Sequence, residues 1–124
     1  LARGIEKLRR ISSEFLLVSS SHVVRKIPLH DIVYIEAMGR ILKIRTLRDT
    51  IETYGQIGQM EKRLGDKNFF RCHKGYLIHL KYVDTFDKTQ IHMETQDTVL
   101  LAKRRYDDFA KALLLYMKKE GGLV

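Results

Sequence analysis

Short runs of apolar residues, separated by polar or turn-forming positions, dominate the chain from residue 15 onward. The runs are rich in Val, Ile and Tyr, and Ser, Gly, Asp, Asn or the single Pro28 interrupts them every five to ten residues. This spacing is typical of an all-β meander. It predicts strands near residues 15–19, 22–28, 31–37, 40–46, 49–54, 69–73, 75–79, 82–87, 89–94 and 97–101.

Two segments depart from this pattern and carry the period of a helix. Ile57, Met60 and Leu64 share one side of a helix near residues 56–64, and Gly65 follows as a stop. A longer apolar stripe predicts a C-terminal amphipathic helix near residues 104–119, and its members are Tyr106, Phe109, Ala110, Leu113, Leu114 and Met117. The predicted fold class is therefore mainly β, with small antiparallel sheets, one short helix and one terminal helix.

The first residues of the chain form a separate segment in this interpretation. Ile5, Leu8 and Ile11 recur at threes and a serine pair follows them, which suggests a short helix or the end of an upstream linker helix over residues 1–13. No repeat or low-complexity linker divides the remainder, so residues 14–120 are expected to form one domain. The chain begins without a methionine, which suggests a piece cut from a longer protein.

Composition narrows the class of protein. The chain has 124 residues and a mass of 14.6 kDa, enough for one core, and its 44% apolar content is that of a folded domain. Its longest apolar run, residues 112–117, is far shorter than the roughly 20 residues that cross a bilayer, so no membrane partner is expected. A single cysteine, Cys72, and no signal-peptide pattern favour a cytoplasmic location.

Positive charge is the compositional feature that points to a partner. The net charge is +8 and the pI about 9.7. Much of the excess lies in three basic clusters, at residues 40–48, 62–81 and 103–105. Such clusters attract phosphates, and an arginine can also fork onto guanine O6 and N7 in a major groove. Arg40, His79 and Arg104 have the chemistry to read bases, whereas the alternative is a solvated surface that keeps the domain soluble.

Three sequence blocks, in order, resemble one family. Residues 69–79 read FFRCHKGYLIH and are similar to the F-x-R-x-H-R-S-Y signature of the LytTR DNA-binding domain, which is followed by two hydrophobic residues and Asn. Residues 27–45 begin IPLHDIVYIEAMGR and resemble that family's I-P-L-x-D-I-x-Y-I-E-A-x-G segment, while residues 99–106, VLLAKRRY, resemble its last strand and turn. The sequence departs from the pattern at Gly75, His79 and Lys103.

The resemblance implies the output domain of a bacterial two-component response regulator. Such a domain is mainly β and inserts loops into successive major grooves of promoter DNA, here expected to carry direct-repeat half-sites. A receiver domain would lie upstream, and a homodimer on DNA is expected. Carried over by position, Arg40, His79 and Arg104 would contact bases. The phosphate contacts would come from Lys74, Lys81, Lys103 and Arg105.

Other residues of the signature have simpler explanations. Arg71 and His73 are interpreted as supporting residues that tie neighbouring loops together by hydrogen bonds. Cys72 is expected to be buried, as free cysteines commonly are, and Tyr76 to pack with its hydroxyl satisfied.

Catalysis and metal binding find no positive support in the sequence. A ligand set of Cys72, His73, His79 and His92 lacks any Cys-x-x-Cys or His-Glu-x-x-His spacing, and no phosphate-loop or dinucleotide motif is present. The chain is therefore expected to be neither an enzyme nor a carrier of metal or cofactor. The alternative to a DNA-binding domain is a basic protein- or RNA-interaction module.

Overall fold

The computed structural model describes residues 14–120. Over this range the chain forms ten strands and two α-helices, joined in part by 3-10 turns. The strands are β1 (Phe15–Ser20), β2 (Val23–Pro28), β3 (Ile32–Met38), β4 (Ile41–Thr46), β5 (Thr50–Tyr54), β6 (Phe69–His73), β7 (Tyr76–His79), β8 (Val83–Phe86), β9 (Gln90–Met93) and β10 (Thr98–Leu100). The helices are α1 (Ile57–Leu64) and α2 (Tyr106–Lys119), and the 3-10 turns are Leu29–Asp31, Leu80–Tyr82 and Lys103–Arg105. The predicted fold class is confirmed, and the linker proposed for residues 1–13 lies outside the described residues.

A five-stranded antiparallel sheet forms the centre of the domain, with strand order β5-β4-β3-β7-β6. Its central strand β3 pairs Ile35 with Ile44 on one side and with Leu77 on the other. All three side chains are fully buried, because residues directly opposite each other in a ladder point to the same face. The alternation of apolar and polar residues in β3 and β4 thus sets the register of the sheet.

The two faces of this sheet carry two separate cores. On one face, Ile35 and Leu77 pack with α1 and with the β1–β2 hairpin. On the other face, Val33 and Ile78 pack with α2 and with the small β8–β9–β10 sheet, where Phe109 is fully buried. Each core covers one side of the sheet, so the loops at the ends of its strands are held on a rigid support.

Local sequence explains where α1 ends and where α2 begins. α1 stops at Gly65, where a Cβ would come within 2.8 Å of the carbonyl oxygen of Glu61, so the position needs a residue without a side chain. α2 begins at Tyr106 and not at residue 104, because residues 103–105 form a 3-10 turn. Asp107 and Asp108 lie in the first turn of α2 and lysines in its last, as the helix dipole favours.

Candidate nucleic-acid interface

Three connections that carry positive charge meet at one end of the five-stranded sheet. They are the β3–β4 turn at residues 39–40, the β6–β7 turn at residues 74–75 and the 3-10 turn Lys103–Arg105. The amide of Ala37, near the end of β3, donates to the carbonyl of Gly75 at 2.9 Å, and the amide of Ala102 donates to the carbonyl of Cys72 at 2.9 Å. We call this end, formed by the three turns, the basic end.

The β3–β4 turn presents Arg40 to solvent. Gly39 has a φ of +64°, in the left-handed region that glycine adopts without steric cost, and this lets the hairpin close in two residues. The carbonyl of Arg40 accepts a hydrogen bond of 3.1 Å from the amide of Gly55, so the backbone of the turn is anchored to the chain that follows β5. The arginine side chain is exposed.

Arg71 organises the β6–β7 turn from within. Its Nε donates to the carbonyl of His73 at 2.9 Å, and its Nη2 donates to the carbonyl of Lys74 at 2.6 Å. Its Nη1 donates to a carboxylate oxygen of Glu61 on α1 at 2.9 Å. One guanidinium therefore fixes two carbonyls of the turn and joins the turn to a helix, which a single ammonium cannot do.

Two further side chains hold the same turn. The Nδ1 atom of His73 accepts from the amide of Gly75 at 3.0 Å. The hydroxyl of Tyr76 donates a hydrogen bond to Glu36 at 3.2 Å. Burial, and to a smaller extent the negative charge of Glu36, raises the pKa of Tyr76 to about 12. The prediction that Tyr76 packs with a satisfied hydroxyl is confirmed. Any role of Arg71 and His73 in binding a ligand stays a prediction.

The 3-10 turn Lys103–Arg105 carries two exposed cations and one engaged cation. Lys103 and Arg104 are exposed. Arg105 is half-buried: its Nε donates to the carbonyl of Arg71 at 3.1 Å, and its guanidinium lies 4.6 Å from the centre of the Phe70 ring. Its Nη1 also pairs with Asp108 at 3.1 Å. Arg105 thus fastens the turn to the edge strand β6, and it has less freedom to meet a ligand than its two neighbours.

An open cleft of about 440 Å³ lies between these elements, lined by Glu61, Arg71, His73, Lys74, Ala102, Arg104 and Arg105. Four of these seven side chains are Lys or Arg and one is acidic. Because Glu61 and Arg71 pair with each other, the net positive charge of the cleft comes from Lys74, Arg104 and Arg105, and it favours an anionic ligand.

His79, which the sequence resemblance places among the base contacts, lies apart from the basic end. It lies at the opposite end of β7, where it pairs with Phe69, and its side chain is only 6% exposed. Its ring packs 4.6 Å from Phe69 and 5.5 Å from Tyr82 between centroids, while Nδ1 accepts from the amide of Lys81 at 3.1 Å. Burial, with a smaller contribution from the charge of Lys81, lowers the pKa of His79 to about 4. The imidazole therefore caps a 3-10 turn inside the domain, and the base contact predicted for His79 stays a prediction.

Lys81 also lies away from the basic end. It is exposed in the turn that follows β7, with its ammonium 5.5 Å from the ring of Tyr82. Of the seven residues predicted to contact bases or phosphates, five therefore come together: Arg40, Lys74, Lys103, Arg104 and Arg105.

Sequence reasoning missed three features at or beside the basic end. Tyr54, at the end of β5 and paired with Ile41, is 82% exposed, and Met38 beside the β3–β4 turn is 51% exposed. The alternation in β5, with Ile51 and Thr53 buried, is a signal that could have placed Tyr54 outward. The contact of Glu61 with the β6–β7 turn has no local signal, because it joins a helix to a strand ten residues later.

The described residues were also searched for a metal site, a reactive thiol and a membrane-spanning helix. Within residues 14–120 no three His, Cys, Asp or Glu side chains lie together in a way that could hold a metal ion. Cys72 is fully buried, as predicted, and burial raises its pKa to about 12. Neither helix of the described range is long and apolar enough to cross a membrane.

Comparison with known proteins identifies the domain. A family model described as the LytTr DNA-binding domain matches residues 22–114. The chain belongs to the LytTr DNA-binding domain family. The matched range of this LytTr domain includes all three turns of the basic end.

Two related proteins extend the comparison. The transcriptional regulatory protein NatR of Bacillus subtilis (strain 168) is 27% identical over 97 residues, which cover 73% of this chain and 40% of NatR. This LytTr domain thus spans well under half the length of that relative. The solved LytTr DNA-binding domain of a methyl-accepting/DNA response regulator from Bacillus cereus matches with a TM-score of 0.71 at 16% identity. That match covers 82% of this chain and 97% of the other, and it shows a shared fold.

Proposed function

We propose that this LytTr domain binds promoter DNA specifically, through its basic end, as the output domain of a bacterial transcriptional regulator. The observation that carries the proposal is the convergence of three basic turns, separate in sequence, at one end of a rigid sheet. Exposed loops on a rigid support are where binding residues usually lie. Membership of a DNA-binding family makes double-stranded DNA the natural anion for this surface.

The proposed roles follow from exposure and chemistry. Arg40 and Arg104 are exposed on two different turns, so each guanidinium is free to fork onto a guanine. The two are proposed to enter successive major grooves. Lys74 and Lys103, exposed beside them, would neutralise phosphates and fix the register of the domain on the duplex. Arg105 is proposed as a secondary phosphate contact, since part of its donor capacity is used within the domain.

The remainder of the proposal concerns the longer protein. NatR is described as a transcriptional regulatory protein, and this chain covers 40% of it. We propose that a receiver domain upstream controls the LytTr domain, as in a two-component response regulator. We further propose that it binds direct-repeat half-sites as a homodimer.

Competition binding at fixed salt tests the proposal. Promoter duplex should compete better than scrambled duplex, and both should compete better than single-stranded RNA. Arg40→Ala and Arg104→Ala should each cost about 1–3 kcal/mol on the specific site and relax preference at one base pair. The matched control is Arg48→Ala, which removes the same charge from the turn at the other end of β4. Equal affinity for all three nucleic acids, or equal losses in the control and the Arg40 variant, would refute the proposal.

The salt dependence separates phosphate contacts from base contacts. Lys74→Ala should weaken binding to all duplexes about equally and reduce the log–log salt slope by about one unit. A loss confined to one operator position would contradict the phosphate role of Lys74.

A further inference from the structure

A groove with an apolar floor runs along α2. It lies beside the start of β6 and the end of β7. Its volume is about 360 Å³, and it is lined by Gly65, Asp66, Asn68, Phe69, Phe70, Leu80, Ala112, Leu115, Tyr116 and Lys119. Leu115 is 63% exposed, although the side chains around it are mostly apolar or aromatic. An exposed leucine beside a groove with an apolar floor is a candidate interaction site.

The groove is separate from the proposed DNA surface. Its floor is formed by Phe69 and Leu80, at the end of the β6–β7 hairpin opposite the turn at residues 74–75. Phe69 pairs with His79 at that end, whereas His73 pairs with Tyr76 beside the turn. The groove and the basic end could therefore be occupied at the same time.

The described chain begins at the same end of the five-stranded sheet as this groove. The amide of Leu29 donates a hydrogen bond to the carbonyl of Glu14. The hydroxyl of Tyr82 donates a hydrogen bond to the carbonyl of His30, the residue after Leu29. Tyr82 closes the 3-10 turn that begins at Leu80, which lines the groove. These contacts place Glu14 at the end of the sheet opposite the basic end, where the groove also lies.

The segment before Glu14 has the length and pattern to fill the groove. Residues 1–13 can span about 43 Å when extended and about 20 Å as a helix. Ile5, Leu8 and Ile11 recur at threes, a spacing that on a helix gathers apolar side chains along one side. We propose that this N-terminal segment docks through those three side chains into the groove beside Leu115.

Such docking would give an upstream domain a rigid connection to this one. A segment packed against α2 and Leu80 would transmit its orientation to the core that supports β6 and β7. A flexible tether would not. The proposal does not depend on DNA binding, because it rests on the groove, on the position of Glu14 and on the apolar residues of the segment.

Disulfide trapping in the full chain tests the proposal. Cys72 is first replaced by alanine, and Leu8→Cys is then combined with either Leu115→Cys or Leu114→Cys. The two leucines are neighbours and both are exposed, but successive helical residues point about 100° apart and only Leu115 lines the groove. We expect an intramolecular disulfide with Leu115→Cys to form about tenfold faster than with Leu114→Cys, because docking raises the local concentration of the thiol.

Two outcomes would overturn the proposal. Equal rates at the two positions would show that the segment does not favour the groove. Disulfides found only between chains would assign the groove to a second copy.

Hydrogen exchange provides a second measurement that needs no cysteine. Replacing Ile5, Leu8 and Ile11 by serine in the full chain should speed amide exchange over residues 112–119. Replacing Lys7 and Arg10 by serine is the matched control and should not. Unchanged exchange in the triple variant would contradict docking.

Discussion

Arg71→Lys is the substitution that most directly tests how the basic end is built. Lysine keeps the positive charge, so long-range attraction to a polyanion should hardly change. It cannot keep the three-way contact, because a single ammonium cannot reach two carbonyls of the β6–β7 turn and the carboxylate of Glu61 in the geometry of the guanidinium fork. The variant therefore separates the shape of the turn from its charge.

The expected cost follows from the bonds lost. If lysine preserves one of the three hydrogen bonds, two are lost, each with a net value of about 0.5–1.5 kcal/mol, which gives a destabilisation of about 1–3 kcal/mol. The pair with Glu61 contributes at the low end, because that carboxylate side chain is 44% exposed and solvent screens it. For a domain of this size each kcal/mol lowers the melting temperature by about 4–8 °C.

Thermal unfolding and DNA titration at several salt concentrations provide the assay. Arg71→Lys should lower the melting temperature and weaken specific binding by about 5–30-fold, the equivalent of 1–2 kcal/mol, while the salt slope stays unchanged. Arg63→Lys, on the exposed side of α1, is the matched control and should change neither quantity. A normal melting temperature together with normal specific affinity would refute the idea that the fork shapes the turn. A reduced salt slope would show instead that Arg71 contacts phosphate itself.

Three further predictions concern single residues. Because burial lowers the pKa of His79 to about 4, below its ordinary value of 6.5, its stabilising effect is complete above pH 6.5 and is lost as the pH falls towards 4. Urea unfolding should show a loss of up to about 3 kcal/mol over that window, and a His79→Phe variant that keeps the full loss would contradict the assignment. Gly39→Ala should cost about 1 kcal/mol in the same assay, since φ is +64° and no atom lies within 4 Å to add a packing effect; no loss would show that the turn relaxes. Cys72, fully buried with its pKa raised to about 12, should react with a thiol reagent at neutral pH only as fast as the domain opens, and rapid labelling of the folded domain would exclude this burial.

Most of the fold could be predicted from the sequence, because its signals are local. The ten predicted strands are observed with ends that shift by one residue or so, since alternating apolar positions and turn residues define each of them. The same holds for α1 and α2, where Met60 and Phe109 lie on the buried side that the helical period indicates. The pairing of β3 with β7 is not a local signal, because it joins segments about forty residues apart in sequence.

The sequence predicts the site less completely than the fold, because the site depends on contacts between residues that are distant in sequence. Arg40 and Arg104 were assigned to turns, and the structure places them there, exposed. The sequence places His79 at the end of a strand, but it follows Leu77 and Ile78 and precedes Leu80, all of which are buried. That apolar context is the local signal for an interior position. The support from Glu61 depends on how α1 lies against β6, which the sequence does not encode locally.

The division of cations at the basic end explains how a strongly positive surface can coexist with a defined shape. Like charges brought together repel one another, so a cluster of exposed cations alone would loosen the turns that carry it. Arg71 and Arg105 reduce this repulsion, since their guanidiniums are bound to main-chain carbonyls and to Glu61 and Asp108. Arg71 is anchored to α1 and Arg105 to α2, and the bond from Arg105 to the carbonyl of Arg71 joins the two turns to each other. The exposed cations on the three turns are then presented at fixed positions. Under the proposed function, this fixed spacing, more than the amount of charge, would let the domain distinguish one duplex sequence from another.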